Sequence, residues 1–435
     1  MALETEIAMT VHEEVRVKDQ SAVRLWVPAA SMTLLGLLSY VDRSVLAILS
    51  PMILTDLHLS ATQYGYAILV FSICYMIANP LWGSWMDRAG LWITTLAAVL
   101  LWSVASGSHG LMAGFLSLCV ARGVLGFGEG ATFPAGLKTV TETLPPEKRS
   151  FGLGIAYSGS SLGAAITPLL ITPIAIRWGW RAAFATTAVM GLAWILLWFA
   201  LKVSGLYTPP RGDRPSRLSG GTSSAKPRWS RNLFAAAAIY GLGAAPLAFG
   251  LYAAPLYLTR VVHVGQASLG HLLWLPPAGW EIGYLFFGRI ADHLRRRDLA
   301  RGEEIGRRGA IFFVLSIASL GIVLTPVIAR GPSPVAGIMA LFVFEMFIAG
   351  GFVVFALSDG MASLPKEQSA FLAGVCISAW ALVTGAMMPW IGHLFDQKEY
   401  DATFWIVACL PLVGTLLWRW LRAARCATSC ESVPS

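Results

Sequence analysis

Twelve long apolar runs follow one another along the chain, separated by short polar breaks, at 25–55, 61–86, 91–110, 111–138, 149–176, 180–203, 231–260, 266–291, 308–329, 333–362, 368–395 and 401–421. A helix crosses bilayer hydrocarbon with about 20 largely apolar residues. Inside hydrocarbon every backbone N–H and C=O must be satisfied within the protein, so only helices and closed barrels span it. Barrel strands read as segments of about ten residues with alternating polarity. No such alternation is present, and the expectation is an all-α membrane protein with twelve transmembrane helices. Composition agrees, with 56% hydrophobic and 13% charged residues, far from the balance of a soluble domain.

The net charge of +8 sits in the loops. That placement argues for a lipid bilayer, and against nucleic acid, as the chain's partner. If the N-terminus is cytoplasmic, the inner side receives Arg16, Lys18, Arg24, Arg88, Lys148, Arg149, the basic residues of 202–231, the cluster from Arg289 to Arg308, Lys366 and the tail arginines. The outer side receives Arg177, Arg181, Arg260, Arg330 and Lys398. Short loops rich in Lys and Arg stay inside, so both termini are expected in the cytoplasm of a bacterial cell, with the chain in its inner membrane. Residues 1–24 lack the pattern of a secretory signal. Four cysteines, Cys74, Cys119, Cys376 and Cys409, fall in apolar runs where small thiols pack. Cys426 and Cys430 lie in the polar tail, a position suited to palmitate.

Residues 204–230 form the longest polar stretch, with Pro209, Pro210, Pro215 and a Ser/Gly cluster, and read as a flexible cytoplasmic linker. They divide a six-helix half at 25–203 from a second at 231–421, flanked by an N-terminal segment 1–24 and a tail 422–435. A repeat supports the division: Gly83-Ser84-Trp85-Met86-Asp87-Arg88 closes the second run and Gly288-Arg289-Ile290-Ala291-Asp292-His293 the eighth. Glycine lets a neighbouring helix approach closely, and an aspartate at the helix edge can face the positive N-terminal end of a helix in the other half. Gly83, Asp87, Arg88, Gly288 and Asp292 are therefore candidates for a gate, made in one state and broken in another.

In this repeated loop the sequence resembles the major facilitator superfamily, over nearly its whole length. Within it, Tyr40-Val41-Asp42-Arg43, Arg122-Gly123 with Gly126-Phe127, Glu129 and Phe133-Pro134, Pro146-Glu147-Lys148-Arg149 and Trp178-Gly179-Trp180-Arg181 resemble the anion:cation symporter family, which includes hexuronate, galactonate, sialate and vesicular glutamate carriers. The segment Trp274 to Gly283 is similar to the eighth helix of its hexuronate branch. In the eleventh helix Ser378 and Leu382 stand where that branch places cavity asparagines. The resemblance implies two pseudo-symmetric six-helix bundles around a central cavity. It also implies proton coupling at Asp42 and Glu129, with Arg43 and Arg122 in binding or coupling.

The residues themselves carry part of this reading. Asp42, Arg43, Arg122, Glu129, Glu281 and Glu345 lie at membrane depth, where each Arg or Asp costs about 2.5–3.5 kcal/mol on insertion scales and must face a cavity or partner. Arg122 and Glu129, seven apart, share one helix face about 10 Å apart along the axis. Asp42 and Arg43 point about 100° apart. An arginine fork suits a carboxylate substrate, and a carboxyl group between desolvation and a nearby cation suits proton exchange. For Glu281 and Glu345, a buried protonated acid serves equally well. Tyr75, Tyr157, Ser158, Ser160 and Ser161 could supply hydroxyl partners, though such residues also pack between helices.

The seven histidines show no spacing for a metal or haem, and no phosphate-binding glycine loop is present. No metal, cofactor or enzymatic activity is expected. The expected function is uptake of a small organic anion, a sugar acid such as a hexuronate or aldonate, driven by the proton gradient and performed by a monomer. The substrate set comprises Arg43, Arg122, Tyr75, Ser160, Glu281 and Ser378. Two alternatives stand beside it: a proton-coupled antiporter of a metabolite or drug, and a nontransporting receptor for an organic acid.

Overall fold

The computed structural model describes residues 2–145, 148–206, 229–301, 306–364 and 369–430; side chains are described from residue 25 on, apart from 150–151, 292, 295–301, 306–308, 369–370 and 423–430. Most of the linker expected at 204–230, the side chain of Asp292, and Pro146 and Glu147 lie outside the described residues.

The first half comprises α1 (Ala2–Ile48), α2 (Ser50–Asp56), α3 (Ala61–Ala89), α4 (Leu91–Ser108), α5 (Phe115–Glu129), α6 (Thr132–Thr143), α7 (Arg149–Trp178) and α8 (Trp180–Val203). The second comprises α9 (Arg231–Gly243), α10 (Ala245–Ala248), α11 (Ala254–Arg260), α12 (Gln266–Leu272), α13 (Leu275–Arg301), α14 (Gly306–Ser319), α15 (Thr325–Ala329), α16 (Pro334–Ser363), α17 (Ser369–Asp396) and α18 (Tyr400–Cys430).

Among the described residues, nine helical segments are long and apolar enough to cross a membrane, and the pair Arg231–Gly243 and Ala245–Arg260, bent by 41°, makes a tenth. The remaining two expected crossings, 111–138 and 266–291, are split and carry charge. The first breaks between α5 and α6, where Pro134 cannot donate an N–H to the turn before it. The second breaks before α13, whose opening Leu275-Pro276-Pro277 accepts proline because first-turn N–H groups have no helical partner. Both keep apolar side chains exposed: Leu116, Val120, Ile282 and Phe286.

Helix reversals place Gly90 and the helix ends at Leu144 and Leu364 on the face where α1 begins and α18 ends, and the turns near 49–60, 179, 261–265 and 397–399 on the far face. Within the first half, α1 packs along α7. The approach is close enough that a Cβ on Gly159 would lie 1.9 Å from the Thr33 carbonyl oxygen. The two halves meet through α3 and α17. There Gly65 lies against the backbone of Met388 and Pro389, and Gly392 against that of Ala61 and Thr62.

Hydrogen bonds between the halves concentrate toward the far face. Asp396 at the end of α17 accepts from the backbone N–H groups of Ala61 and Thr62, both at 2.8 Å, and from Thr62 Oγ1 at 2.7 Å. It also faces Arg260 at 3.5 Å. Gln266 Nε2 donates to the Ile48 carbonyl at 3.0 Å, and Tyr64 Oη to the Tyr252 carbonyl at 2.8 Å. The Tyr252 carbonyl sits in a π turn, Phe249–Ala253, that joins α10 to α11. A carboxylate at the N-terminus of α3 meets free N–H groups and the positive end of the helix dipole, so this side is locked by ionic and backbone contacts. On the side of the termini, the described side chains make no equivalent lock.

Candidate functional site

A cavity of about 460 Å³ opens between the halves, lined by α1, α3, α6, α7, α9, α10, α13, α16 and α17. Its lining residues on α7, 153–161, and on α16 and α17, 353–357 and 373–380, belong to the parts of those helices nearer the termini. It is therefore walled off by the far-face contacts and reaches toward the opposite side.

Most of the wall is aromatic: Tyr40, Tyr75, Tyr157, Tyr284, Trp280 and Trp380 line it, and the Tyr40 and Trp280 rings, one from each half, lie 5.9 Å apart. Among the described lining residues Arg43 is the one cation and Glu281 the one acid. Arg43 is held on two sides. Its Nε and Nη2 donate to Glu129 Oε2 at 3.2 and 2.9 Å, and Ser39 Oγ donates to the same oxygen at 3.0 Å. Its guanidinium also lies 4.7 Å from the Tyr40 ring centre, 4.9 Å from Phe71 and 4.7 Å from Tyr75. Cation–π contacts contribute about 0.5–2 kcal/mol each, so the rings hold the cation at the wall without neutralising it.

Asp42, the neighbouring residue, turns away from this pair and accepts from Ser106 Oγ at 2.5 Å; Ser106 in turn bonds Thr187 Oγ1 at 2.7 Å. The roughly 100° step between adjacent helix residues thus sends the two side chains to different helices. Arg122 behaves differently from both. It is fully buried, its three guanidinium nitrogens have no hydrogen-bond partner among the described residues, and its nearest ring is Phe71 at 5.9 Å. It lies outside the cavity wall, while Glu129, which shares its helix face, is occupied by Arg43.

Of the remaining expected substrate contacts, Tyr75, Ser160 and Glu281 line the cavity and Ser378 does not. Tyr75 Oη is buried without a partner. Glu281 Oε2 accepts from Ser161 Oγ at 2.5 Å, joining α13 to α7 across the cavity. Glu345 lies apart, accepting from Ser319 Oγ at 3.0 Å within the second half.

The gate residues differ from the sequence reasoning in one respect. A Cβ on Gly83 would meet only Pro134 at 3.9 Å, and one on Gly288 nothing within 4 Å. Neither glycine is a point of close approach here, because the halves are apart on this side. Asp87 instead pairs within its own half with Lys138 Nζ at 2.5 Å, and Lys138 lies 3.8 Å from Glu142. No group of three metal-ligating side chains occurs among the described residues.

Sequence reasoning did not single out Tyr240, Tyr284 or Trp380 as cavity residues, nor Ser39, Ser106 and Thr187 as partners of the buried acids. Aromatic and hydroxyl side chains in an apolar run carry no mark that separates lining from packing.

The geometry agrees with comparisons to other proteins. The Major Facilitator Superfamily model matches residues 32–388. A hexuronate transporter of Bacillus subtilis (strain 168) is 30% identical over 88% of this chain and 91% of its own length. A hexuronate transporter of Escherichia coli (strain K12) is 26% identical over 90% and 92%, and a D-galactonate transporter of Escherichia coli O6:H1 is 26% identical over 87% and 90%. Among solved structures, a bacterial homologue of the human lysosomal transporter Spinster, inward-facing and unoccupied, superposes with a TM-score of 0.72 at 16% identity, covering 92% of this chain and 97% of that one. Two helical halves around one cavity in a multi-pass membrane protein, matched by the family model over most of its length, place this chain in the Major Facilitator Superfamily, as a transporter and not an enzyme.

Proposed function

We propose that this transporter takes up a small organic anion, a sugar acid such as a hexuronate or an aldonate, in symport with protons. It does so by alternating access, across a bacterial inner membrane, with both termini in the cytoplasm and the described state open to that side. The observation that carries the reading is the Arg43–Glu129 pair at the cavity wall. Glu129 and a substrate carboxylate compete for one guanidinium. A proton on Glu129 cancels its charge and leaves Arg43 as an unbalanced cation at low dielectric, which an anion then neutralises. Proton and anion are thereby bound together more favourably than either alone.

Asp42, bonded to Ser106, is the second exchangeable carboxyl group in this scheme. Tyr75 and Ser160 offer hydroxyl partners to the sugar. Arg122, beside the Phe71 ring and off the cavity wall, meets substrate only if the packing between them and the cavity moves during the cycle. The names of the hexuronate and galactonate relatives support the substrate class.

The test is uptake of radiolabelled D-galacturonate, D-glucuronate and D-galactonate into proteoliposomes with an alkaline interior. Transient accumulation above equilibrium, abolished by a protonophore, is expected. Accumulation that instead needs an acidic interior would make the protein an antiporter. Binding of these acids with no accumulation under either gradient would make it a receptor and overturn the proposal.

A further inference from the structure

The cavity wall carries two charged side chains among its described residues, and they belong to opposite halves: Arg43 on α1 and Glu281 on α13. A hexuronate or an aldonate has one carboxylate, which the arginine accounts for. An acid on the facing wall is unexpected for an anion carrier, because it repels the cargo unless it meets a different part of it.

The surroundings of Glu281 say which part. Its Oε2 accepts from Ser161 Oγ at 2.5 Å, so in the empty cavity it is already satisfied by a hydroxyl donor. Among the described residues its other oxygen, Oε1, has no hydrogen bond. Ser160 and Ser158 flank this corner, and Tyr284 lies one turn further along α13. Among the described residues no cationic side chain pairs with Glu281, and Arg43, the one lining cation, is held by Glu129. An ionised carboxyl group is acceptor-only. It pairs with hydroxyl groups, which donate, and opposes a second carboxylate, which does not.

We propose that Glu281 is the specificity-determining residue at the sugar end of the site: it accepts hydroxyl hydrogens of a polyhydroxy monocarboxylate and rejects acids that carry a second carboxylate there. The inference rests on the sugar-acid reading above and deepens it. A bound hydroxyl takes the place of Ser161 Oγ on Glu281. The substrate then spans Arg43 in the first half and Glu281 in the second, replacing the one described hydrogen bond that crosses the cavity. Hydrogen bonds to a charged acceptor discriminate strongly against ligands that cannot make them, because the site's polar group is then left unpaired.

L-Galactonate, D-galacturonate and galactarate make the test sharp, since with their carboxylates aligned they share the configuration of the inner carbons and differ at the other end: a hydroxymethyl group, an aldehyde-level carbon, or a second carboxylate. Full-length protein in detergent is titrated with each by calorimetry, and with the gluco series in parallel. Wild type is expected to bind the monoacids at least about tenfold more tightly than the diacid, a difference typical of one buried polar contact. Glu281→Gln keeps the side-chain shape but removes the charge, and should bring that ratio close to one, with the diacid gaining affinity. Ser161→Ala removes the competing donor and should tighten monoacid binding without narrowing the ratio, which serves as a second readout should Glu281→Gln fold poorly. Equal affinity of wild type for monoacid and diacid overturns the proposal while leaving the sugar-acid reading intact. So does an unchanged ratio in Glu281→Gln or a narrowed one in Ser161→Ala. Failure of wild type to bind any of these acids overturns the sugar-acid reading and the inference with it.

Discussion

Arg43 donates from both Nε and Nη2 to a single oxygen of Glu129, at 3.2 and 2.9 Å, while Glu129 Oε1 is buried without a partner. Neutralising the acid by substitution should therefore imitate its protonated state. Glu129→Gln is expected to bind sugar acids as tightly as wild type or more tightly, with affinity that varies less with pH, Asp42 remaining as an exchangeable group. Uphill accumulation driven by a pH gradient should fall by an order of magnitude, roughly the size of a typical coupling free energy. Calorimetry across pH and vesicle uptake check both halves of this statement, and accumulation at the wild-type level would remove Glu129 from coupling.

Arg122 is a second guanidinium in the same half, but without a hydrogen-bond partner among the described residues. Taking such a charge out of water costs several kcal/mol. Arg122→Gln should raise the stability of the purified protein by about 1–3 kcal/mol, or a few degrees in apparent Tm, while abolishing transport. A fall in Tm would show that Arg122 is paired in the folded protein.

Asp396 ties α17 to the first turn of α3 through the N–H groups of Ala61 and Thr62. Asp396→Asn leaves one acceptor oxygen and no charge, and should move the equilibrium toward the far-face-open state by about 1.4 kcal/mol, a factor of ten in population. Spin-label distances between the far ends of α3 and α17 report that population directly. An unchanged distance distribution would count against Asp396 as a lock.

Asp56, at the end of α2, accepts from Trp180 Nε1 and from Arg181 Nη1, both at 3.0 Å. The indole N–H first, and the guanidinium after it, hold its carboxyl below the ordinary aspartate range. A group with a lowered folded-state pKa contributes stability above its unfolded pKa of about 3.9 and loses it as pH falls through the lowered value. Wild type should therefore lose more of its Tm than Asp56→Asn between about pH 6 and about pH 3. Parallel curves for the two proteins would mean that the contact adds nothing.

Apolar run length made most of the helices legible in the sequence, because hydrocarbon admits no other solution for so many residues in a row. The two crossings least apparent as apolar helices, 111–138 and 266–291, contain Arg122, Glu129 and Lys138 in one and Glu281 in the other. The ionisable residues stood out for the same reason, but their pairing did not. Arg122 and Glu129 share a helix face, yet Glu129 meets Arg43 from another helix, a choice made by tertiary packing and invisible to periodicity. The close approach expected at Gly83 and Gly288 depends on which side of the carrier is shut, and one sequence serves both states.

The contact between α3 and α17 has two layers of unlike character. Gly65 and Gly392 press backbone on backbone and carry no charge, whereas Asp396, about a quarter exposed, holds the rim with a formal negative charge. Added electrolyte weakens the second and leaves the first alone. Ionic strength on that side of the membrane therefore acts as a timer: it shortens the dwell in this orientation without altering how well the two walls fit.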